Sequence, residues 1–375
     1  MQIIHAQKPI PWARATIDYS GANEYVAAHY PYLIANPSET YFANDCKTGV
    51  GVLEEDIYDA RNGVYSYCDI TQKWIVSDAS LSSCGFALVN DNQCHDRNSL
   101  AAPCANFTNW QDDSNQIKAY VTGLRQSIIP MVFEEPDLLE CIFWNPVFRG
   151  EDLSMTTRSK DHTTSASTIT TSSVAAMVHI DNDIGAYADE ESVIDLILKN
   201  RVGGMYNDVD DDAGMKRDEL VNLLRAGHRF VVLNKWRNVD DEPVQSAPLG
   251  MLATRYKAEL MAFPDGALNE REGFWYCFPN MHQDEYLVFK QYDRDLMFPS
   301  DLWHCALSLL GNSGGRQEYL SVPPPSRRSF DVRAFLILNE KVHKNRDRFS
   351  ATRRQPLLSH HESECFCEEQ RRKRS

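Results

Sequence analysis

The feature that most constrains how this chain can fold is a set of short runs rich in β-branched and aromatic residues. They lie at residues 174–181, 229–236, 273–278, 285–292 and 328–338, with Gly, Pro or Asp at several joins. Such runs satisfy their backbone groups by pairing with one another, and their number predicts a mainly β protein. Helical spacing is rarer. Residues 115–129 place Ile117, Tyr120, Val121, Leu124 and Ile128 on one face ahead of Pro130; residues 190–200 align Val193, Ile194, Ile197 and Leu198; residues 218–225 align Leu220, Val221 and Leu224 ahead of Gly227. Many strands with long joins and few helices predict a jelly-roll or closed sandwich with helices packed outside.

Residues 1–110 mix short apolar runs with turns, and are expected to form an irregular part packing on a core at 111–340. Residues 341–375 are polar and end in Arg371-Arg372-Lys373-Arg374-Ser375, which predicts a disordered tail. The chain has 375 residues and a formal net charge of -15, a poor match to nucleic acid or an anionic membrane surface. No apolar run reaches the roughly 18 residues of a membrane span. Pro9 and Pro11 break the beginning of the chain, so no signal peptide is expected and the location is read as cytoplasmic. The ten cysteines contain no C-x-x-C pair and are expected as thiols, Cys94 and Cys104 being the one pair considered for a disulfide. The oligomeric state is left open.

One segment carries chemistry. In Val174-Ala-Ala-Met-Val-His-Ile-Asp181 the apolar run reads as a strand, on which His179 and Asp181 project to one face. An imidazole beside a carboxylate can hold a divalent metal, and a second imidazole completes the two-histidine, one-carboxylate set of Fe(II) oxygenases. That imidazole must come from far along the chain. Among eleven histidines His304 is the best placed, ahead of His162, His228 and His282, which sit in polar or turn-like sequence. Alone, a His-x-Asp pair is more often a surface hydrogen-bonded pair than a metal site.

The last strong strand opens on Arg327-Arg328-Ser329. A keto-acid co-substrate that chelates a metal at one end presents a carboxylate at the other, and an arginine fork suits that carboxylate. Arg327, Ser329, Asp331 and Arg333 alternate onto one face, so Arg333 is a second candidate anchor. Asn234 and Trp236 share one face of their strand and Lys235 and Arg237 the other; Asn234, Trp236, Arg237 and Tyr276 are candidate pocket residues. Asp208, Asp210, Asp212 and Glu219 imitate an EF-hand loop, but its sixth position is Ala213 rather than Gly, so a solvated acidic turn is expected.

Taken in order, His179-Ile-Asp181, Asn234-Lys-Trp-Arg237, residues 243–249, Trp275-Tyr-Cys-Phe-Pro279, residues 284–293, His304 and residues 327–333 resemble the fungal gibberellin-desaturase and aspergillic-acid-hydroxylase group, which includes a cephem methoxylation component. The resemblance covers about residues 80–340. Where that group carries Trp-Arg-Pro and His-Thr, this chain has Trp236-Arg237-Asn238 and His304-Cys305. The resemblance implies a double-stranded β-helix (jelly-roll, cupin-like) core, Fe(II), 2-oxoglutarate and O2. By position His179, Asp181 and His304 are the metal ligands, and Arg327 and Ser329 hold the co-substrate. It further implies oxidation of a small natural-product intermediate by hydroxylation, desaturation or the ring closure seen in algal kainoid-toxin synthases. A non-catalytic ligand-binding β-helix and a Zn(II)-dependent hydrolase with the same ligands are the other readings.

Overall fold

The protein is represented by a computed structural model that describes residues 4–6, 9–18, 52–68, 73–90, 138–150, 156–157, 170–172, 174–181, 184, 187, 189–200, 215–253, 274–299, 302–310, 327–344, 347 and 349. The expected helix at 115–129, the acidic string at 208–214, Cys94, Cys104, His162 and the tail from 351 lie outside the described residues. No described helix is long and apolar enough to cross a membrane.

Two sheets face each other in a jelly-roll, the double-stranded β-helix core. Along the chain come β1 (Ile4–Ala6), β2 (Ala13–Asp18), β3 (Val52–Asp59), β4 (Val64–Cys68), β5 (Lys73–Ser77), β6 (Phe86–Asn90), β7 (Leu138–Gly150), β8 (Thr156–Thr157) and β9 (Thr170–Ser172). Helices α1 (Glu190–Asn200) and α2 (Arg217–Arg225) follow. The chain continues with β10 (His228–Asn238), β11 (Leu249–Ala253), β12 (Phe274–Cys277), β13 (Glu285–Asp293), β14 (His304–Ala306), β15 (Ser308–Leu309) and β16 (Arg328–Lys341). The larger sheet has the order β6-β13-β10-β16-β7-β9-β8, and the smaller β14-β11-β12-β3-β2-β15. β1, β5 and β4 form a separate three-stranded sheet.

The smaller sheet curls back on itself, because both of its edges, β14 and β15, lie in the single run 304–309. Its inside is filled by Ala15, Ile17, Ile57, Leu252, Trp275, Cys277, Cys305 and Leu307. Strands β2, β3 and β6 fall within residues 1–110, the stretch the sequence reads as irregular. The expected strand at 174–181 is present only as single-residue bridges, Met177 to Asp18 and His179 to His304. It is an extended run wedged between β2 and β14, so it pairs one residue at a time with different neighbours.

The inward face of the larger sheet carries two apolar clusters. Phe230 and Val232 of β10, Phe335 and Ile337 of β16 and Ile142 of β7 pack beneath Val193, Ile194 and Ile197 of α1 and Leu220, Val221 and Leu224 of α2. Further along the same strands, Trp236, Leu287 and Phe289 pack against Met251 and Tyr276 of the smaller sheet. The helices fit because their apolar residues recur at helical spacing. Glu219, last residue of the EF-hand-like string, accepts the Lys216 backbone N–H at 3.0 Å and so caps the start of α2. Gly227, at φ 87°, lets the chain leave α2 for β10. Cys84, Cys141, Cys277 and Cys305 are free thiols, all buried.

Phe230 touches Tyr292, Phe335 and Phe349 and is fully buried beneath the helices. Phe230→Ala is expected to destabilise the protein by about 3–5 kcal/mol through lost transfer energy and a residual cavity, measured by urea unfolding.

Candidate metal centre

Backbone pairing brings the two histidines together. His179 donates its N–H to His304 O at 3.1 Å, and His304 returns the bond to His179 O at 3.1 Å. Residues that exchange both bonds lie directly opposite each other with side chains on one face. Here the ring centroids are 4.3 Å apart. Each side is tied down elsewhere: Val178 donates to Asp18 O at 2.9 Å, and His304 pairs with Met251 of β11.

The ring nitrogens are oriented from behind. His179 Nδ1 lies 2.8 Å from Met177 O and His304 Nδ1 3.1 Å from Leu302 O. A carbonyl only accepts, so each Nδ1 carries a proton and Nε2 is the ring nitrogen left to face the site. Both Nε2 atoms aim at Asp181: His179 Nε2 is 3.6 Å from Oδ1 and His304 Nε2 3.6 Å from Oδ2. The three ligand atoms all lie within 4.8 Å of one another.

Burial sets the protonation. It pushes His304 down to about 3, with the neighbouring His179 adding to the effect, so the ring is neutral over the physiological range. Burial alone would raise Asp181. The guanidinium of Arg333, 2.7 Å from Oδ1, outweighs it and holds the carboxyl well below its usual range, together with the histidines. Two imidazoles and one carboxylate, with each Nδ1 already bonded to a carbonyl, are the donor set that a divalent first-row metal requires.

A small cleft opens beside these atoms. Its polar wall is Asn234, Arg327, Arg149 and Asp331, and its apolar wall includes Trp236, Leu249 and Phe289. The Arg327 guanidinium lies 5.3 Å from the Trp236 ring and donates to Ala247 O. Ser329 is fully buried, its Oγ without a hydrogen-bond partner among the described residues, and it pairs directly with Arg149 in the β16–β7 register.

Other residues singled out by sequence lie elsewhere. Arg333 is turned to Asp181. Arg237 is on the opposite face of β10, donating to Gln283 O. The Tyr276 hydroxyl accepts from Tyr65 N at 2.8 Å and donates to Tyr65 O at 3.3 Å inside the apolar layer. His228 bonds Leu338 O at 3.1 Å far along β10 from Asn234, and the His282 N–H bonds Glu285.

Sequence reasoning missed three residues. Arg149 donates to Asp331 at 2.8 Å, a buried pair in the cleft wall. The signal was a lone arginine closing the apolar run of β7. Asp331 already stood in the alternation that gave Arg327 and Ser329. Gln291 accepts the Asp181 backbone N–H at 3.0 Å; it is the extra residue where the β10–β13 register shifts between Val232 and Leu233, and nothing in the sequence marks it.

Fold and site together define the class: a double-stranded β-helix carrying a His-x-Asp…His triad beside a half-open cleft. No protein-family model and no curated protein sequence matches the chain. Among solved structures it is similar to the iron and alpha-ketoglutarate-dependent endoperoxidase NvfI, at TM-score 0.45 and 15% identity over 88% of this chain and 99% of that one. A second structure of that enzyme gives TM-score 0.42 and 14% identity over 88% and 98%.

An ordinary histidine is mostly charged at about pH 5. In metal-free protein His304 is expected to stay neutral, protonated on Nδ1, from about pH 8 down to about pH 5. ¹⁵N imidazole NMR reads this directly, and a charged His304 ring at the acid end would contradict the burial argument.

Proposed function

We propose that this chain is an Fe(II)- and 2-oxoglutarate-dependent dioxygenase that oxidises a small molecule at a C–H bond. The observation that carries the reading is the convergence of His179 Nε2, His304 Nε2 and an Asp181 oxygen, from two distant segments, on one point beside a cleft. Bound Fe(II) with the keto acid and O2 would supply the oxidant that removes a hydrogen atom, with succinate and CO2 released. Everything else falls to the protein. His179, Asp181 and His304 hold the ion from one side. Their exposure indicates the open side: the His179 side chain is 28% exposed, against 3% for Asp181 and 4% for His304.

Arg327 reaches the cleft as a fork that fits a carboxylate, and Ser329 Oγ, buried without a partner, is the hydroxyl that would share it. Arg149 and Asp331 hold each other in the wall and give the substrate a polar edge. Asn234 and Trp236 face the substrate side, and Phe289, edge-on to His304 at 4.8 Å, keeps that ring dry and in place. Hydroxylation, desaturation and oxidative ring closure all begin with the same abstraction. Positioning of the substrate carbon relative to the metal selects among them.

Fe(II) and 2-oxoglutarate added without oxygen are expected to produce a weak visible charge-transfer band that His179→Ala and His304→Ala abolish. Admission of O2 should yield succinate. Tightly bound metal with no band and no succinate would sink the proposal and favour a hydrolase or a binding protein. Arg327→Gln removes charge-assisted hydrogen bonds of about 1.5–3 kcal/mol, so the KM for 2-oxoglutarate should rise roughly 10- to 100-fold while Fe(II) affinity stays close to wild type.

A further inference from the structure

Asp181 belongs to the extended run 174–181, outside the larger sheet, yet three neighbouring strands of that sheet each send one side chain to it. Arg333 of β16 reaches Oδ1 at 2.7 Å, Asn234 Nδ2 of β10 donates to Oδ2 at 2.5 Å, and Gln291 of β13 accepts the backbone N–H at 3.0 Å. Asn234 and Arg333 are direct partners in the β10–β16 register, so they approach the carboxylate side by side. Each oxygen then has one donor behind it and faces one histidine Nε2. Arg333 is buried, over the Trp144 ring at 5.7 Å, and does not line the cleft.

From this geometry we infer that Arg333, seconded by Asn234, is a positioning residue of the metal centre that pre-aims Asp181, and not an anchor for a co-substrate. The inference rests on the metal-centre reading above. An arginine 2.7 Å from one carboxylate and absent from the cleft wall faces that carboxylate and not a ligand in the cleft. With both oxygens restrained, an arriving cation meets a carboxylate that need not turn. Asp181, His179 and His304 would hold it, and the side facing the cleft would be left for other ligands. Arg333 also brings a positive charge close to the ion, so two effects compete: its charge opposes the cation, and its ion pair orders the ligand. The clamp acts if ordering wins.

The test measures Mn(II) binding by EPR of the free ion, and 2-oxoglutarate binding at saturating Mn(II), in the full-length wild type, Arg333→Gln, Arg333→Lys, Asn234→Ala and Arg61→Gln. Loss of a residue that orients a metal ligand typically weakens affinity about 10- to 100-fold. That loss is expected for Arg333→Gln, with partial recovery in Arg333→Lys, which keeps a charged donor, and a smaller loss in Asn234→Ala. Arg61→Gln breaks an arginine–carboxylate pair with Glu285 that lies outside the cleft wall and does not touch Asp181, and should leave Mn(II) affinity within about threefold of wild type. Unchanged or tighter Mn(II) binding in Arg333→Gln overturns the inference, as does an equal loss in Arg61→Gln. So does retained Mn(II) binding with lost 2-oxoglutarate binding, which would make Arg333 the anchor. A wild type that binds no Mn(II) removes the metal centre itself. If Arg333→Gln does not fold, Arg333→Lys and Asn234→Ala decide: both at wild-type Mn(II) affinity overturns the inference.

Discussion

Two backbone hydrogen bonds exchanged between His179 and His304 decide where everything else in the site must be. They are not side-chain interactions, and any pair of residues at these positions would be held equally close. The sequence contributes histidine at both places and a carboxylate two residues after the first. The fold contributes coincidence: β14 is secured to β11, the 174–181 run is secured to Asp18, and the two meet at one residue pair. A slip of one residue in either would turn one ring to the opposite face and leave no site, because side chains alternate along an extended chain.

Electrostatics then selects the protonation states. A carboxylate taken out of water loses several kcal/mol of hydration. One opposite charge at about 4 Å returns about 4 kcal/mol at the effective dielectric of a partly buried site. The two nearly cancel, so a single ion pair would hold Asp181 only marginally in its charged form. A hydrogen bond from Asn234 to the second oxygen completes the balance. His304 needs no such help, since burial favours the neutral ring that a metal requires. The same desolvation thus prepares one ligand and threatens the other, and Arg333 is spent on the threatened one.

What could be read from sequence follows the range of the interactions. Strands β10, β12, β13 and β16 were legible because both faces are buried and their composition is plainly β. β2 and β3 were not. Their outward faces carry Arg14, Glu54 and Asp56, paired with one another at the surface, and that charge density hid the alternation. His179 and Asp181 were legible because i and i+2 is a local rule. Arg149 and Gln291 depend on non-local register, and Gln291 also on a bulge. Arg333 shows the division within a single residue: alternation correctly put it on the face of Arg327 and Ser329, but only the tertiary structure could name Asp181 as its partner.

The place of the cleft follows from how the inward face of the larger sheet is covered. One row across the strands, Tyr292, Val232, Phe335 and Ile142, is apolar and lies under the helices. The next inward-facing row is Phe289, Asn234, Arg333 and Trp144, followed by Leu287, Trp236, Asp331 and Val147. The polar residues sit at the seam where helical cover ends and the smaller sheet begins. An apolar set of similar volume at Asn234, Asp331 and Arg333, with their partners Asp181 and Arg149 made apolar as well, would be as stable or more so, because buried ion pairs seldom repay their desolvation. Packing therefore does not explain these three side chains. Their common direction, toward Asp181 and the cleft beside it, does.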